Sequence, residues 1–215
     1  MLEGKNISNI ALPEPTLRRL PWYLAYINLL NAKNIEYVSS TQISKDINVD
    51  ASQIAKDLSF LNIKGKTRIG YEVKSLAKEL EDFLGFKRVH NTFMMGVGSL
   101  GAALIQDSGL SQYGLRIVAG FDVNPLRIGT SICGVPIFHV SELKMRQQEL
   151  NAEIGVLAVP VENAQEATDV MINGGIKAIW NFTPFRIKAP ENIVIQNTSI
   201  YAHLAVMYNR MNTLK

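Results

Sequence analysis

Residues 91–106 constrain this chain more than any other stretch. A short apolar run, Asn91-Thr92-Phe93-Met94-Met95, passes directly into Gly96-Val97-Gly98-Ser99-Leu100-Gly101 and then into Ala102-Ala103-Leu104-Ile105. Three glycines at G-x-G-x-x-G spacing, between a strand and a helix, open a βαβ unit. Gly96 permits the sharp turn, Gly98 lets the backbone approach a pyrophosphate, and Gly101 lets the helix pack closely on the strand. With Val97, Ser99 and Leu100 they form a loop whose free amides at the helix start favour an anion. A second strand, residues 116–122, ends on Asp122, 21 residues after Gly101. A carboxylate there bonds the hydroxyls of an adenosine ribose and repels the extra phosphate of NADP, so NAD(H) is the expected ligand.

The alternation continues, with strands predicted at 135–138, 154–159, 176–180 and 193–195 and helices at 141–149 and 163–173. That pattern implies a mostly parallel Rossmann sheet in an α/β protein. Ala158-Val159-Pro160 and Asn181-Phe182-Thr183-Pro184 each follow a strand's C-terminal end. Ligands bind on that edge of doubly wound sheets, which makes Val159, Pro160, Asn181 and Pro184 candidate cofactor contacts. The same residues also suit ordinary proline-marked strand exits. No His–carboxylate or Tyr–Lys pair stands at a spacing that suggests acid–base chemistry, and no substrate domain is expected. A bound nucleotide without catalytic equipment points to sensing, and no catalytic residue is expected. His90, His139 and His203 read as packing or surface residues.

Residues 13–84 have another character, helices with one strand pair. Leu17, Leu20, Leu24, Ile27 and Leu30 form one apolar helical stripe, within which Pro21 predicts a kink or the true first turn. Ser39-Ser40-Thr41 offers N-cap chemistry to a short helix holding Ile43 and Ile47. After a turn at Asn48-Val49, Asp50 caps the next helix and Gln53 is placed to reach back in capping-box fashion. On that helix Ile54, Leu58 and Leu61 must face inward, leaving Ser52, Gln53, Lys56 and Ser59 outside. Residues 64–71 then suit a tight hairpin with a basic tip of Lys64, Lys66 and Arg68.

Such an order makes a winged helix-turn-helix, whose third helix enters the major groove of DNA while the wing lies on the backbone. Ser52, Gln53 and Lys56 are candidates to read base edges, and Lys64, Lys66 and Arg68 to contact phosphates. A polar helix face is otherwise simply solvated; the hairpin that follows favours the groove reading. Charge leans the same way: residues 1–71 hold nine Lys/Arg against six Asp/Glu, whereas residues 91–215 hold nine of each.

A connecting helix at 75–88 ends at Gly85, which divides the chain into a DNA-binding domain (1–85) and a nucleotide-binding domain (86–198). The final segment, 199–215, is a helix with Ile200, Leu204, Met207 and Met211 along one stripe. It needs an apolar partner, the chain's own domains or another subunit, and twofold DNA-binding dimers favour the subunit. Cys133 is the only cysteine, so no disulfide framework or metal site is expected. No signal sequence and no run near the roughly 18 apolar residues of a membrane span is present, so the expected location is the cytoplasm.

In sequence order these stretches resemble the Rex family of redox-sensing repressors over nearly the whole chain. The likeness rests on Arg18-Arg19-Leu20-Pro21, Val38-Ser39-Ser40, Ala51-Ser52-Gln53-Ile54, residues 56–60 and Gly70-Tyr71-Glu72-Val73. In the second half it rests on Gly96 to Gly101, Phe121-Asp122, Gly134-Val135-Pro136-Ile137, Ala158-Val159-Pro160, Ala164-Gln165-Glu166 and Asn181-Phe182. It implies a homodimer with exchanged C-terminal helices that binds palindromic operator DNA when NADH is scarce. NADH closes the dimer and releases the DNA, and NAD+ competes. It also adds Ser39, Ser40 and Ser59 to the candidate DNA contacts.

Three kinds of position depart from the family pattern. Ala55 stands where the recognition helix usually has Arg, and the wing reads Gly65-Lys66-Thr67-Arg68 in place of Gly-Lys-Arg-Gly. Asp107 stands where the family has a Tyr near the nicotinamide, and Ser199 where it has an Asp that exchanges partners with an arginine matched by Arg19. Arg19, Asp107 and Ser199 are therefore the switch candidates, and a paralogue with altered NADH/NAD+ discrimination is an alternative. A small NAD-dependent oxidoreductase and a CoA-binding module are the others.

Overall fold

The structure, a computed structural model, describes residues 12–213. They fall into two compact units divided between Lys87 and Arg88. The first contains α1 (Glu14–Ala32), β1 (Tyr37–Val38), α2 (Ser40–Ile47), α3 (Ala51–Leu58), β2 (Tyr71–Glu72) and α4 (Val73–Leu84). Helix α1 buries Leu20, Leu24, Ile27 and Leu30 together with Tyr23, while Leu17 stays exposed. Pro15 takes the first turn, where a missing N–H is harmless. Pro21 is interior: the helix continues through it, because Leu20, Tyr23 and Leu24 on either side are all core residues.

Ser39 caps α2 by accepting the Gln42 amide at 3.2 Å, and Asn48 ends that helix at φ +54°. Asp50 caps α3, accepting the amides of Ser52 and Gln53 at 2.8 and 3.3 Å. The expected capping box does not form. Gln53 turns forward instead, its Nε2 donating to Asp57 Oδ1 at 2.9 Å, a charge-assisted bond stronger than the one it would make by accepting the Asp50 amide. Ile54, Leu58 and Leu61 are buried as their spacing requires. Strands β1 and β2 pair antiparallel, and a single bridge between Lys66 and Gly70 closes the wing turn. Helix α4 starts at Val73, two residues before the predicted segment, because fully buried Val73 anchors it directly to β2; Gly85 ends it at φ +72°.

The second unit runs β3 (His90–Met95), α5 (Ser99–Gln106), α6 (Ser108–Gln112), β4 (Leu115–Asp122), β5 (Ser131–Ile132), β6 (Val135–His139) and α7 (Leu143–Leu150). It ends with β7 (Ile154–Leu157), α8 (Ala164–Asn173), β8 (Ala178–Asn181), β9 (Val194–Asn197) and α9 (Ile200–Thr213). The sheet order is β5-β6-β4-β3-β7-β8-β9, parallel throughout except for edge strand β5. Two apolar layers sandwich it. Phe93 and Met95 of β3 pack with Leu143, Ala164 and Met171 of the α7–α8 layer, while Met94 packs with Ile105 of α5 on the opposite face. Strand β5 and helix α6, two and five residues long, are too short to show a period in the sequence. Within the described chain α9 has no buried residue; Tyr201 is 64% and Met211 58% exposed. Among the described residues no helix is long and apolar enough to cross a membrane, and no group of His, Cys, Asp and Glu is placed to hold a metal ion.

Candidate nucleotide cavity and DNA-binding surface

The glycine loop has the geometry its spacing implies. Gly96 lies at φ +88°, where a side chain would also press on the Ala158 carbonyl at 2.7 Å. A methyl on Gly101 would come within 2.0 Å of the Gly96 carbonyl, so only glycine lets α5 sit this close to β3. Gly98 caps α5, and a Cβ there would meet nothing within 4 Å. That open space is the mouth of a cavity of about 450 Å³ lined by Gly96, Gly98 and Asp122. Ala158, Val159 and Pro160, from the loop after β7, form a second wall.

Asp122 closes the end of β4 with both carboxylate oxygens engaged. Oδ2 accepts the Val97 amide at 2.8 Å, and Oδ1 accepts the amides of Val123 and Asn124 at 2.8 and 2.9 Å. The carboxylate thus holds the glycine loop to the strand end and still borders the cavity. Two groups not among the expected cofactor contacts share the lining, Arg127 in the loop after β4 and Glu166 in the first turn of α8. Their signal lay in position alone, since loops at this sheet edge are where ligands bind.

The other proposed cofactor residues are not part of that lining. Val97 is buried and its amide serves Asp122, while Ser99, Leu100 and Gly101 form the first turn of α5. Asn181 is buried with its amide satisfied inside the protein: Nδ2 donates to the Phe185 carbonyl and to Asn197 Oδ1 at 2.8 and 2.9 Å. Its Oδ1 accepts the Thr183 amide and hydroxyl at 2.9 and 2.7 Å. Pro184 is exposed in the same loop. Asp107 caps α6 by accepting the Gly109 amide at 2.7 Å, and Ser199 accepts the Ala202 amide at 3.1 Å at the start of α9.

In the first unit, Ser52, Lys56 and Ser59 are exposed on α3, with Gln53 half-buried beside them. The Ser59 hydroxyl donates to the Lys56 carbonyl at 2.6 Å, and the Ser39 and Ser40 side chains sit half-buried at the start of α2. Lys64, Lys66 and Arg68 are exposed along the wing, Arg68 at φ +64° at its tip. Lys66 is pinned: its Nζ donates to the Tyr37 hydroxyl at 2.6 Å and lies 4.7 Å from the centre of that ring. The hydrogen bond to Tyr37 raises the lysine's pKa.

Beneath α3 lies a cluster that the sequence reading did not find. Asp57 is fully buried and accepts Arg19 Nε at 2.6 Å and Arg19 Nη2 at 2.9 Å. Tyr23, Gln53 and Thr16 donate to the same carboxylate at 2.7, 2.9 and 3.0 Å. Burial alone would raise the Asp57 carboxyl; hydrogen bonds from Arg19, Tyr23, Gln53 and Thr16 outweigh it and bring it down to about 2. The same pairing lifts Arg19, and burial followed by the Asp57 bond pushes the Tyr23 phenol well above its ordinary range. The cluster ties α3 to α1.

Comparison with known proteins completes the picture. The chain is 65% identical over 201 residues to the redox-sensing transcriptional repressor Rex of Bacteroides fragilis, covering 94% of this chain and 91% of that one. It is 60% identical over 215 residues to the Rex repressor of Bacteroides thetaiotaomicron, covering 99% and 98%. It belongs to the Rex family of redox-sensing transcriptional repressors. Two solved structures of a Rex-family repressor called RSP share the fold over 95% of this chain. The complex with β-NAD+ and operator DNA matches with a TM-score of 0.90 at 31% identity and 94% coverage of RSP. The complex with β-NADH matches with a TM-score of 0.84 at 32% identity and 96% coverage. A family model described as "CoA binding domain" matches residues 87–185, and one described as "Putative DNA-binding protein N-terminus" matches residues 11–59.

Proposed function

We propose that this Rex-family chain is a repressor that binds palindromic operator DNA through residues 1–85. Residues 86–198 bind NAD(H), and NADH releases the DNA, so that transcription follows the NADH/NAD+ ratio. The observation that carries this reading is the joint presence of a helix-turn-helix with an exposed basic wing and a Gly98–Asp122 cavity, in a chain that superposes on RSP with operator DNA and NAD+ and on RSP with NADH. On α3, Ser52, Gln53 and Lys56 face bases, and Lys64, Lys66 and Arg68 face phosphates. In the cavity the α5 amides face the pyrophosphate and Asp122 the adenosine ribose.

The chain acts by binding, not by catalysis. Its relatives are named as repressors, and the ionisable side chains lining the cavity are Asp122, Arg127 and Glu166, none of them a histidine or lysine suited to proton transfer near neutral pH. A twofold operator calls for a dimer, and residues 199–215, where α9 exposes apolar side chains, are exchanged between its two subunits. As a chromosomal regulator it works in the cytoplasm. The helix caps Asp107 and Ser199 are where nucleotide discrimination would differ from the rest of the family, while Arg19, held by Asp57, keeps the family's arginine.

Fluorescence anisotropy of a labelled palindromic operator, titrated separately with NADH and NAD+, tests the proposal. Release by NADH and not by NAD+ is expected. Tight DNA binding unmoved by either nucleotide would leave a repressor without this sensor.

A further inference from the structure

The cavity holds two opposite charges that do not meet. Arg127, half-buried, and exposed Glu166 both line it, yet among the described residues neither side chain has a partner. A carboxylate in the first turn of a helix is explained by the helix dipole alone. One that also lines a ligand cavity, together with an unpaired guanidinium, has a second use. The inference rests on the nucleotide reading above. If Gly98 marks the pyrophosphate and Asp122 the ribose, the remaining wall of the same cavity must receive the base. The rest of the lining includes apolar Val140, Ala167 and Val170, with Arg127 and Glu166 as its other charged groups.

The chemistry of these groups selects the base. A guanidinium is planar and weakly hydrated and lies favourably against an aromatic face. A carboxylate only accepts hydrogen bonds, so it favours an amino group and opposes a carbonyl oxygen at the same place. We infer that Glu166 accepts from the 6-amino group of the purine while Arg127 lies against its ring, which makes this end of the cavity selective for adenine over a 6-oxopurine.

The test compares NADH with its reduced hypoxanthine analogue, which carries an oxygen at position 6, by calorimetric titration of the full chain. The wild type is expected to prefer NADH by roughly tenfold, the scale of one hydrogen bond to a charged group at a partly exposed site. Glu166→Ala brings that ratio near one. Glu166→Gln removes or inverts it, because the new amide can donate to the oxo group. Arg127→Ala weakens both nucleotides alike and leaves the ratio unchanged.

Equal binding of both nucleotides by the wild type overturns the inference, as does a preference that survives Glu166→Ala. Titration with NADPH guards the other half: if Arg127→Ala weakens NADPH alone, the guanidinium serves a ribose phosphate and not the base. A folded wild-type protein that binds none of the three refutes the nucleotide reading itself, a result distinct from binding without base preference.

Discussion

The two units each hold one telling carboxylate, and the two are held in opposite ways. Asp57 is fully buried and takes five hydrogen bonds from four side chains, three of them 34 to 41 residues away in sequence. Asp122 is half-buried and takes three hydrogen bonds, all from backbone amides of its own strand end and the glycine loop. Side-chain donors can enclose a charge completely and neutralise it, which suits a structural tie. Backbone donors approach from one side and leave the other open, which suits a carboxylate that must also meet a ligand. The contrast separates a carboxylate consumed by tertiary contacts from one left open to a cavity.

The comparison breaks most sharply at Asp57. Replacing it with alanine leaves a half-buried Arg19 and a buried Tyr23 hydroxyl without their acceptor, and should cost the first unit about 3–5 kcal/mol in urea unfolding. A loss under about 1 kcal/mol would mean the cluster is dispensable. The sign of its pH dependence follows from a carboxyl held at about 2 in the folded chain against 3.8 for the free group. Its contribution is complete above the free value and disappears as pH falls from there through about 2, an acid transition worth roughly 2 kcal/mol that Asp57→Asn should lack.

Gly98→Val asks the converse question of the cavity. Because a Cβ at Gly98 meets nothing within 4 Å, the melting temperature should hold while NADH affinity falls on the order of a hundredfold, through blocked approach to the backbone. Undiminished binding would take the glycine loop out of the site. The smallest effect is expected at exposed Lys56. Alanine there should weaken operator binding roughly tenfold, at unchanged stability and unchanged NADH affinity. An unaltered operator affinity would remove this part of α3 from the groove.

What the sequence made legible follows from local rules. The spacing of Gly96, Gly98, Gly101 and Asp122 encodes a strand, a turn, a helix and a second strand across residues 90–122, and each glycine has a steric reason readable before any coordinates. The inward face of α3 and its Asp50 cap follow likewise from helical periodicity and from the unsatisfied amides of a helix start. Gln53 shows where that logic stops. Its local option was the helix N-terminus, but folding brought α1 against α3 and created a buried anion that won the amide.

Periodicity and motif, which act over neighbouring residues, determined the two-part organisation, the parallel sheet and the carboxylate at the end of β4. Tertiary structure alone decided that Asp57 is a buried hub, that Tyr37 pins Lys66, that Asn181 is committed internally, and that Arg127 and Glu166 share a cavity. Each of these depends on which distant segments meet, and the energy of a hydrogen bond or an ion pair is set by partner and burial, neither of which is written in the order of residues.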